Sequence, residues 1–587
     1  MLQELNENQS ILIIEKDAKP TSGEKKNHFF KGWFTDPETE SVVLGYEGFS
    51  NWIQEHGGLS LGGHNGLQGS YVCSTWDEKN LVLENDLFSM FPVIYFSEPD
   101  IFVASDSLYV LAKCKRSLGI DISHNPSVLH ARAWTHGIAC ASPNTETQVL
   151  GIHHLIPGQR ILIDHSANKT EFKLETRRIR DVFPQTKRPY HECLEQYLRN
   201  TYRTLFALSK RQDTEIELSL SGGLDSRLML ALMLKLRPKS PNMYFVTNNH
   251  ATRSEDYRVV ESLSKQFGFE FNNRGLSSDG REMVPQNTLQ EKFAMWRLSN
   301  MGIFDMMYFN GDYPLNASVV RLGGHGAEIV KGTFLNMSFS RLLRNKRMSK
   351  KALVSRKVFS HLSHIKQQNN RLSSIRGAID SALSIVGERM DDEAMMWHHL
   401  CYKSAIANSR YLANSILGYR PLIDGDLFRC ARSQPSQDFQ IIQDLLILSS
   451  PELAAHPFEN PKYDMSESQI KERLEFLSVT IDFEGLTSFN LYSGDKPIPN
   501  GPPLSFLNLL NVPNKSYSSP EIMIKSMLDE VWDKLENKEL KEIYQPAYDL
   551  ARERFSQEKV YFPSAATPAA KIISLALTEP ELFEIGI

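Results

Sequence analysis

Cysteine is scarce: six residues in 587, namely Cys73, Cys114, Cys140, Cys193, Cys401 and Cys430, with no two in a C-x-x-C pair. That scatter argues against a zinc site or a disulfide framework and fits a reducing compartment. Long apolar runs are missing too, and no window approaches the roughly 18 apolar residues of a membrane span. The opening "MLQELNENQSILIIEKD" carries acidic residues and a short apolar run, the pattern of neither a signal peptide nor an anchor. A cytoplasmic enzyme without membrane insertion is therefore expected. An excess of one charge is absent as well: Lys+Arg 65 against Asp+Glu 70 gives −5, so no global basic field favours nucleic acid as a partner. The basic run "RLLRNKRMSKKALVSRK" (Arg341–Lys357) is a local exception, read as a solvated helix face or loop.

What is present is ordinary globular material, 41% hydrophobic and 23% charged, and the length calls for two or three domains. Residues 1–185 read as β-rich. "ILIIEKD", "GSYVCSTWDEKNLVLEND", "FPVIYFSEPDIFVASD" and "QRILIDH" are short runs of Val, Ile, Phe and Tyr between Gly, Asn and Asp turns, which predicts stacked sheets. "PQTKRPYHE" (Pro184–Glu192), with two prolines and no periodicity, reads as a linker. Beyond it strands alternate with helices: "EIELSL", "NMYFVTNN" and "ASVVRLGG" are strand-like, and "SEDYRVVESLSKQFG" is helical. That alternation predicts a parallel, doubly wound sheet. From about residue 336 onward the periodicity is mainly helical.

The most informative string is "ELSLSGGLDSRLMLALML" (Glu217–Leu234), a strand running through Ser-Gly-Gly into an apolar helix. A helix N-terminus after a glycine turn presents free backbone N–H groups and a dipole that favours an anion. Gly222 and Gly223 let the backbone approach the anion, and Ser221 and Ser226 add hydroxyls. Asp225 repels a bare phosphate but suits a magnesium ion bridging phosphates. Neither Gly-Lys-Ser/Thr nor G-x-G-x-x-G is present. The bland alternative is a tight strand–helix turn with a polar cap.

This string resembles the pyrophosphate loop of the N-type ATP pyrophosphatases, and within them the asparagine synthetase family. "GLQGSYVCSTWDEKNLVLENDLFSMFPVIYF" (Gly66–Phe96), "FVASDSLYVL" (Phe102–Leu111) and "GIHHLIPGQRILI" (Gly151–Ile163) are similar to that family's N-terminal domain. "GGHGAEIVKG" (Gly323–Gly332) resembles its Gly-Glu-Gly-Ala-Asp-Glu loop, and "YRPLIDGDL" (Tyr419–Leu427) its Arg-x-Pro-Phe-Leu-Asp segment. The resemblance implies a glutaminase-like Ntn-type β-sandwich domain over 1–185. A doubly wound ATP pyrophosphatase domain with a helical C-terminal region follows over 186–587. It implies adenylation of a carboxylate by ATP with Mg2+, release of pyrophosphate, and attack by an amine. Ser221, Gly222, Gly223, Asp225 and Ser226 would hold the pyrophosphate portion of ATP, Val246 and Thr247 would meet adenine, and Gly324 would approach the adenylate. Asp225 and Glu328 would be the metal ligands, with Glu328 standing where the family has Asp.

Three departures bear on the sub-function. Glutamine-dependent members use a cysteine as residue 1, whereas this chain begins Met1-Leu2 and its first cysteine is Cys73, so a glutaminase reaction is not expected. His325 stands where asparagine synthetases have Glu and β-lactam-forming members have Tyr; an imidazole there suits taking a proton from the amine. A carboxylate partner for it is sought in "GERMDDEAMMWHH" (Gly387–His399). The family's pyrophosphate-contacting lysine has two candidates, Lys462 and Lys571. Asp424 is expected beside the substrate, and Arg420 is expected to pair with a carboxylate. The leading expectation is an amide ligase that acts on a small-molecule or peptide carboxylate. Macrolactam or natural-product cyclisation, as in lasso-peptide cyclases and β-lactam synthetases, would be its form, served by a precursor peptide and a companion protease. The alternatives are an ammonia-using asparagine synthetase and a non-catalytic scaffold.

Overall fold

In the computed structural model the described residues are 11–15, 28–57, 67–77, 79–99, 101–133, 144–164, 171–211, 213–240, 242–248, 253–272, 289–305, 318–324, 369–385, 417–433, 439–494, 517–557 and 562–580, with the single residues 307, 327, 330 and 582. Among the described residues the architecture is mixed α/β with three sheets.

Among these residues the N-terminal part supplies ten strands: β1 (Ile11–Glu15), β2 (His28–Asp36), β3 (Ser41–Leu44), β4 (Gln68–Trp76), β5 (Asn80–Asn85), β6 (Ile94–Ser97), β7 (Ile101–Ser105), β8 (His153–His154), β9 (Gln159–Asp164) and β10 (Glu171–Thr176). They form one antiparallel sheet in the order β1-β7-β6-β8 and most of a second, β10-β9-β5-β4-β2-β3. Side chains alternate between faces along a strand. Tyr95 and Phe102 therefore join Val72, Leu83 and Ile161 in a core shared by strands of both sheets. Their neighbours Ile94, Phe96 and Val103 enter a different cluster. The stacked sheets expected from the runs of Val, Ile and Phe are present.

That second cluster contains a feature absent from the sequence reading. Met523, Ile524 and Leu528, from the helix Pro520–Lys534, and Ile572 and Ile573, from the helix Phe562–Ile573, pack with Ile94, Phe96 and Leu108. The C-terminal helices thus dock on the N-terminal β-module. Strand β15 (Asn490–Tyr492) also pairs parallel with β3 at the edge of the larger sheet.

The third sheet is wholly parallel. It comprises β11 (Thr214–Ser219), β12 (Met243–Val246), β13 (Ser318–Leu322) and β14 (Leu417–Tyr419), ordered β12-β11-β13-β14. β11 is buried through Thr214–Leu218, as a strand covered on both faces should be. The amphipathic helix Tyr190–Ser209 leads into it, starting directly after Pro189, and buries Leu194, Leu198, Tyr202 and Leu205. The helix Leu224–Leu236 leaves β11 and is buried nearly all round. From β11 the chain steps to β12 on one side and to β13 on the other, so the order reverses at the carboxyl end of β11. In open α/β sheets that reversal opens a crevice where ligands bind.

Candidate functional site

At this reversal the Ser-Gly-Gly turn folds on itself. Ser221 N–H donates to Ser226 Oγ (3.2 Å), and the two hydroxyls lie 3.0 Å apart. Gly223 N–H donates to Ser221 Oγ (3.2 Å), while Ser226 Oγ donates to Ser221 O (3.1 Å). The helix Leu224–Leu236 starts from Gly223, which brings no side chain to cap its first turn. Such first-turn N–H groups have no intrahelical acceptor, and the two serines hydrogen-bond within the turn.

The loop after β13 closes on the same place. A Cβ at Gly324 would lie 2.5 Å from Asp225 Cβ. Only glycine allows this approach, which brings Gly323–Gly324 against the start of the helix after β11. Arg420, just past β14, sits beneath the second loop: its Nη1 donates to Arg321 O (3.0 Å) and Tyr419 O (3.2 Å), and a Cβ at Gly323 would meet it at 2.8 Å. The pairing of Arg420 was expected to be with a carboxylate; these two bonds go to carbonyls.

No family model matches the sequence, and no curated protein matches it. Among solved structures, glutamine phosphoribosylpyrophosphate amidotransferase from B. subtilis, complexed with ADP and GMP, is similar at 10% identity and a TM-score of 0.14, over 59% of this chain and 61% of that one. The chain spans less than two thirds of that protein, and a likeness at this TM-score carries no argument.

The remaining candidate residues are placed as follows. Val246 O accepts from Leu220 N–H (2.8 Å), and Thr247 N–H donates to Asn272 Oδ1 (2.8 Å). Two of the backbone groups available for a base are thus already engaged inside the protein. His325, Glu328, the segment Gly387–His399 and the basic run Arg341–Lys357 lie outside the described residues. Among the described residues no group of three or more His, Cys, Asp or Glu could hold a metal ion. The side chain at hand for a nucleotide-bound cation is Asp225, with phosphate oxygens completing the set.

Asp424, expected beside the substrate, has a local structural purpose as well. Its Oδ1 accepts from Leu427 N–H (2.8 Å), so it caps the helix Gly425–Ser433. It also lines a cavity between the β-module and the parallel sheet with Trp33, Gln68, Thr201 and Tyr419. Desolvation there, and then Asp426, push its carboxyl up to about 7. Lys571 is a correction. It is buried in an ion pair with Asp305 (2.6 Å) and donates to Arg132 O (2.9 Å), so it cannot reach a pyrophosphate at the Ser-Gly-Gly turn. Lys462 is exposed, three residues past Glu459, with its ammonium 4.6 Å from the Tyr463 ring centroid. Cys73 is buried in β4, and desolvation raises its thiol well above the usual range, which suits a core residue better than a nucleophile.

Three residues that carry the site were missed in the sequence. Asp256, in the first turn of the helix Ser254–Phe267, accepts from Gly222 N–H at 2.6 Å. Glu459 N–H donates to Gly222 O (3.3 Å). Arg227, directly after Ser226, is fully buried and donates to the carbonyls of Leu453, His456 and Pro457. Its guanidinium lies 3.5 Å from the Phe458 ring centroid, and burial lowers its pKa to about 9. An arginine leading directly into the apolar run Leu228–Leu234 was the available signal, since such a cation is buried only when paired or hydrogen-bonded.

Proposed function

We propose that the chain is an ATP-dependent amide ligase of the asparagine synthetase type. It would activate a carboxylate as an acyl-adenylate, releasing pyrophosphate, and join it to an amine. The observation that carries this reading is the meeting of Gly324 with Asp225 at the reversal of the parallel sheet. There two glycine loops flank one uncapped helix N-terminus. Such a place suits phosphate groups, through backbone donors and the helix dipole. It suits them less as a bare anion, because Asp225 lies in the first turn; a magnesium–nucleotide complex resolves that conflict.

In this reading Asp225 would hold a magnesium ion, whose chemistry there would be to neutralise the triphosphate for attack on the α-phosphorus. The first-turn N–H groups and the Ser221–Ser226 pair orient the pyrophosphate. Gly324 would approach the acyl-phosphate end, and Thr247 would meet the base through atoms other than its N–H, which Asn272 holds. His325 takes the proton from the attacking amine. Cyclisation of a peptide or natural-product precursor is the proposed substrate class, supported by the departure of Gly323–Gly332 from Gly-Glu-Gly-Ala-Asp-Glu.

The test is calorimetric. The purified chain binds Mg·ATP, and Asp225→Ala weakens that binding while leaving the fold intact by circular dichroism. Equal affinity of the two proteins would remove the reading.

A further inference from the structure

We propose that Asp256 is the positioning residue of the anion-binding turn: its carboxylate fixes the Gly222 peptide, and with it the shape of the Ser-Gly-Gly turn and the helix start that meet an incoming pyrophosphate group. This rests on the nucleotide reading above.

The Gly222 peptide is held from both sides. Asp256 Oδ1 accepts its N–H at 2.6 Å, and Glu459 N–H donates to its carbonyl at 3.3 Å. The two holds come from distant parts of the chain. Asp256 stands 4% exposed on the helix after β12, and its other oxygen is 3.1 Å from Arg253 Nη1. Glu459 ends the segment that Arg227 grips by three carbonyls. A Cβ at Gly222 would lie 2.7 Å from Glu459 Cβ, so contact between the turn and this segment is tight.

The physical need for such a hold is plain. Two consecutive glycines have the widest backbone freedom of any dipeptide. Left unrestrained, they would be ordered only at the moment of binding and would weaken it. A hydrogen bond to a buried carboxylate is among the strongest available inside a protein. It also removes one donor from competition. Gly222 N–H is taken by Asp256, Ser221 N–H by Ser226 and Gly223 N–H by Ser221, so the turn holds one fixed shape at the start of the helix. Asp256 thus acts through Gly222 and touches no reacting atom.

The experiment uses the full chain as wild type, Asp256→Asn and Asp256→Ala, with Mg·pyrophosphate as the calorimetric probe. Deuterium exchange of the peptide spanning Gly222 is measured in parallel. An asparagine oxygen still accepts from Gly222 N–H, so Asp256→Asn keeps its affinity within about threefold, whereas Asp256→Ala loses about tenfold or more. Exchange at Gly222 accelerates in the alanine variant and hardly changes in the asparagine one. If the alanine variant fails to fold, Asp256→Ser replaces it, because a serine hydroxyl falls short of Gly222 N–H and gives the same loss. Unchanged affinity in a folded Asp256→Ala protein overturns the positioning role alone. Tighter binding overturns it too and shows instead that the carboxylate competes with the anion. A wild type that binds neither pyrophosphate nor Mg·ATP removes the nucleotide reading and this inference together.

Discussion

Lys571 Nζ lies 2.6 Å from Asp305 Oδ2, and neither side chain reaches solvent. The same carboxylate takes Arg132 Nη2 at 2.6 Å through its other oxygen. One buried Asp therefore joins the helix Pro126–Arg132, the stretch after the helix Leu289–Ser299, and the C-terminal helix Phe562–Ile573. Removing Lys571 leaves Asp305 paired with Arg132 but takes away one charged hydrogen bond and the donor to Arg132 O. Lys571→Met is expected to cost about 1–3 kcal/mol, read as a lower denaturant midpoint. Mg·ATP binding by the folded fraction stays unchanged, because the pair sits in the β-module's helical cover. A variant as stable as wild type would show that the cluster is relaxed by other groups.

Gly324→Ala tests the closure of the two loops. The added Cβ lies 2.5 Å from Asp225 Cβ, closer than carbon atoms tolerate, so the second loop must move away from the helix start. Overpacking of this kind costs about 1–3 kcal/mol. A small fall in melting temperature and a clear loss of Mg·ATP affinity are expected. Retained affinity would separate Gly324 from the nucleotide.

Arg227→Met removes the donors that hold Leu453, His456 and Pro457. Three carbonyls lose their partner and Phe458 loses its cation. Each buried carbonyl left unsatisfied costs about 1–3 kcal/mol unless water enters. Deuterium exchange is expected to rise in residues 453–459 before it rises in β11. Uniform exchange across both segments would mean that the clamp is local packing only.

Asp424 gives a pH dependence of defined sign. Its folded value, about 7, lies above that of an unfolded carboxylate. Between the two the folded chain keeps a proton that the unfolded chain has released. The stability this group contributes is complete below about pH 4 and is lost as pH rises through about 7, with a slope of at most about 1.4 kcal/mol per pH unit. Asp424→Asn keeps the cap on Leu427 and removes the titration, so its melting temperature falls less than that of wild type between pH 5 and 7. Asp86, also pushed up to about 7 by burial although it accepts four backbone N–H bonds, adds a slope of the same sign to both proteins. Parallel profiles would exclude Asp424 as the source.

Local pattern made the turn and its flanking elements readable. Alternating residues in "EIELSL", glycines at 222 and 223, and the apolar run Leu228–Leu234 specify strand, turn and helix within one window. The same holds for β4 to β7 and for the helix Ser254–Phe267, which ends at Gly268 with φ +65. What was not readable depends on distance in sequence. Three residues at Asn490–Tyr492 carry no period, so their pairing with β3 is set by tertiary packing. Lys571 was a candidate for the pyrophosphate-contacting lysine, and only the fold brings Asp305 and Arg132 to it. Asp256 stood in an ordinary acidic first turn, where a helix dipole already accounts for it; its bond to Gly222 depends on how β12 returns beside β11. Asp424 was read from its motif, and the structure adds the helix it caps and the cavity it lines.

The most direct measurement of the central claim is the nucleotide product. The protein is incubated with magnesium and α-labelled ATP against candidate carboxylates and peptide precursors, with Asp225→Ala beside it. The account predicts AMP and pyrophosphate whose formation requires the carboxylate and disappears in the variant, with an amide found by mass spectrometry. ADP and phosphate, formed in a carboxylate-dependent way, would contradict it.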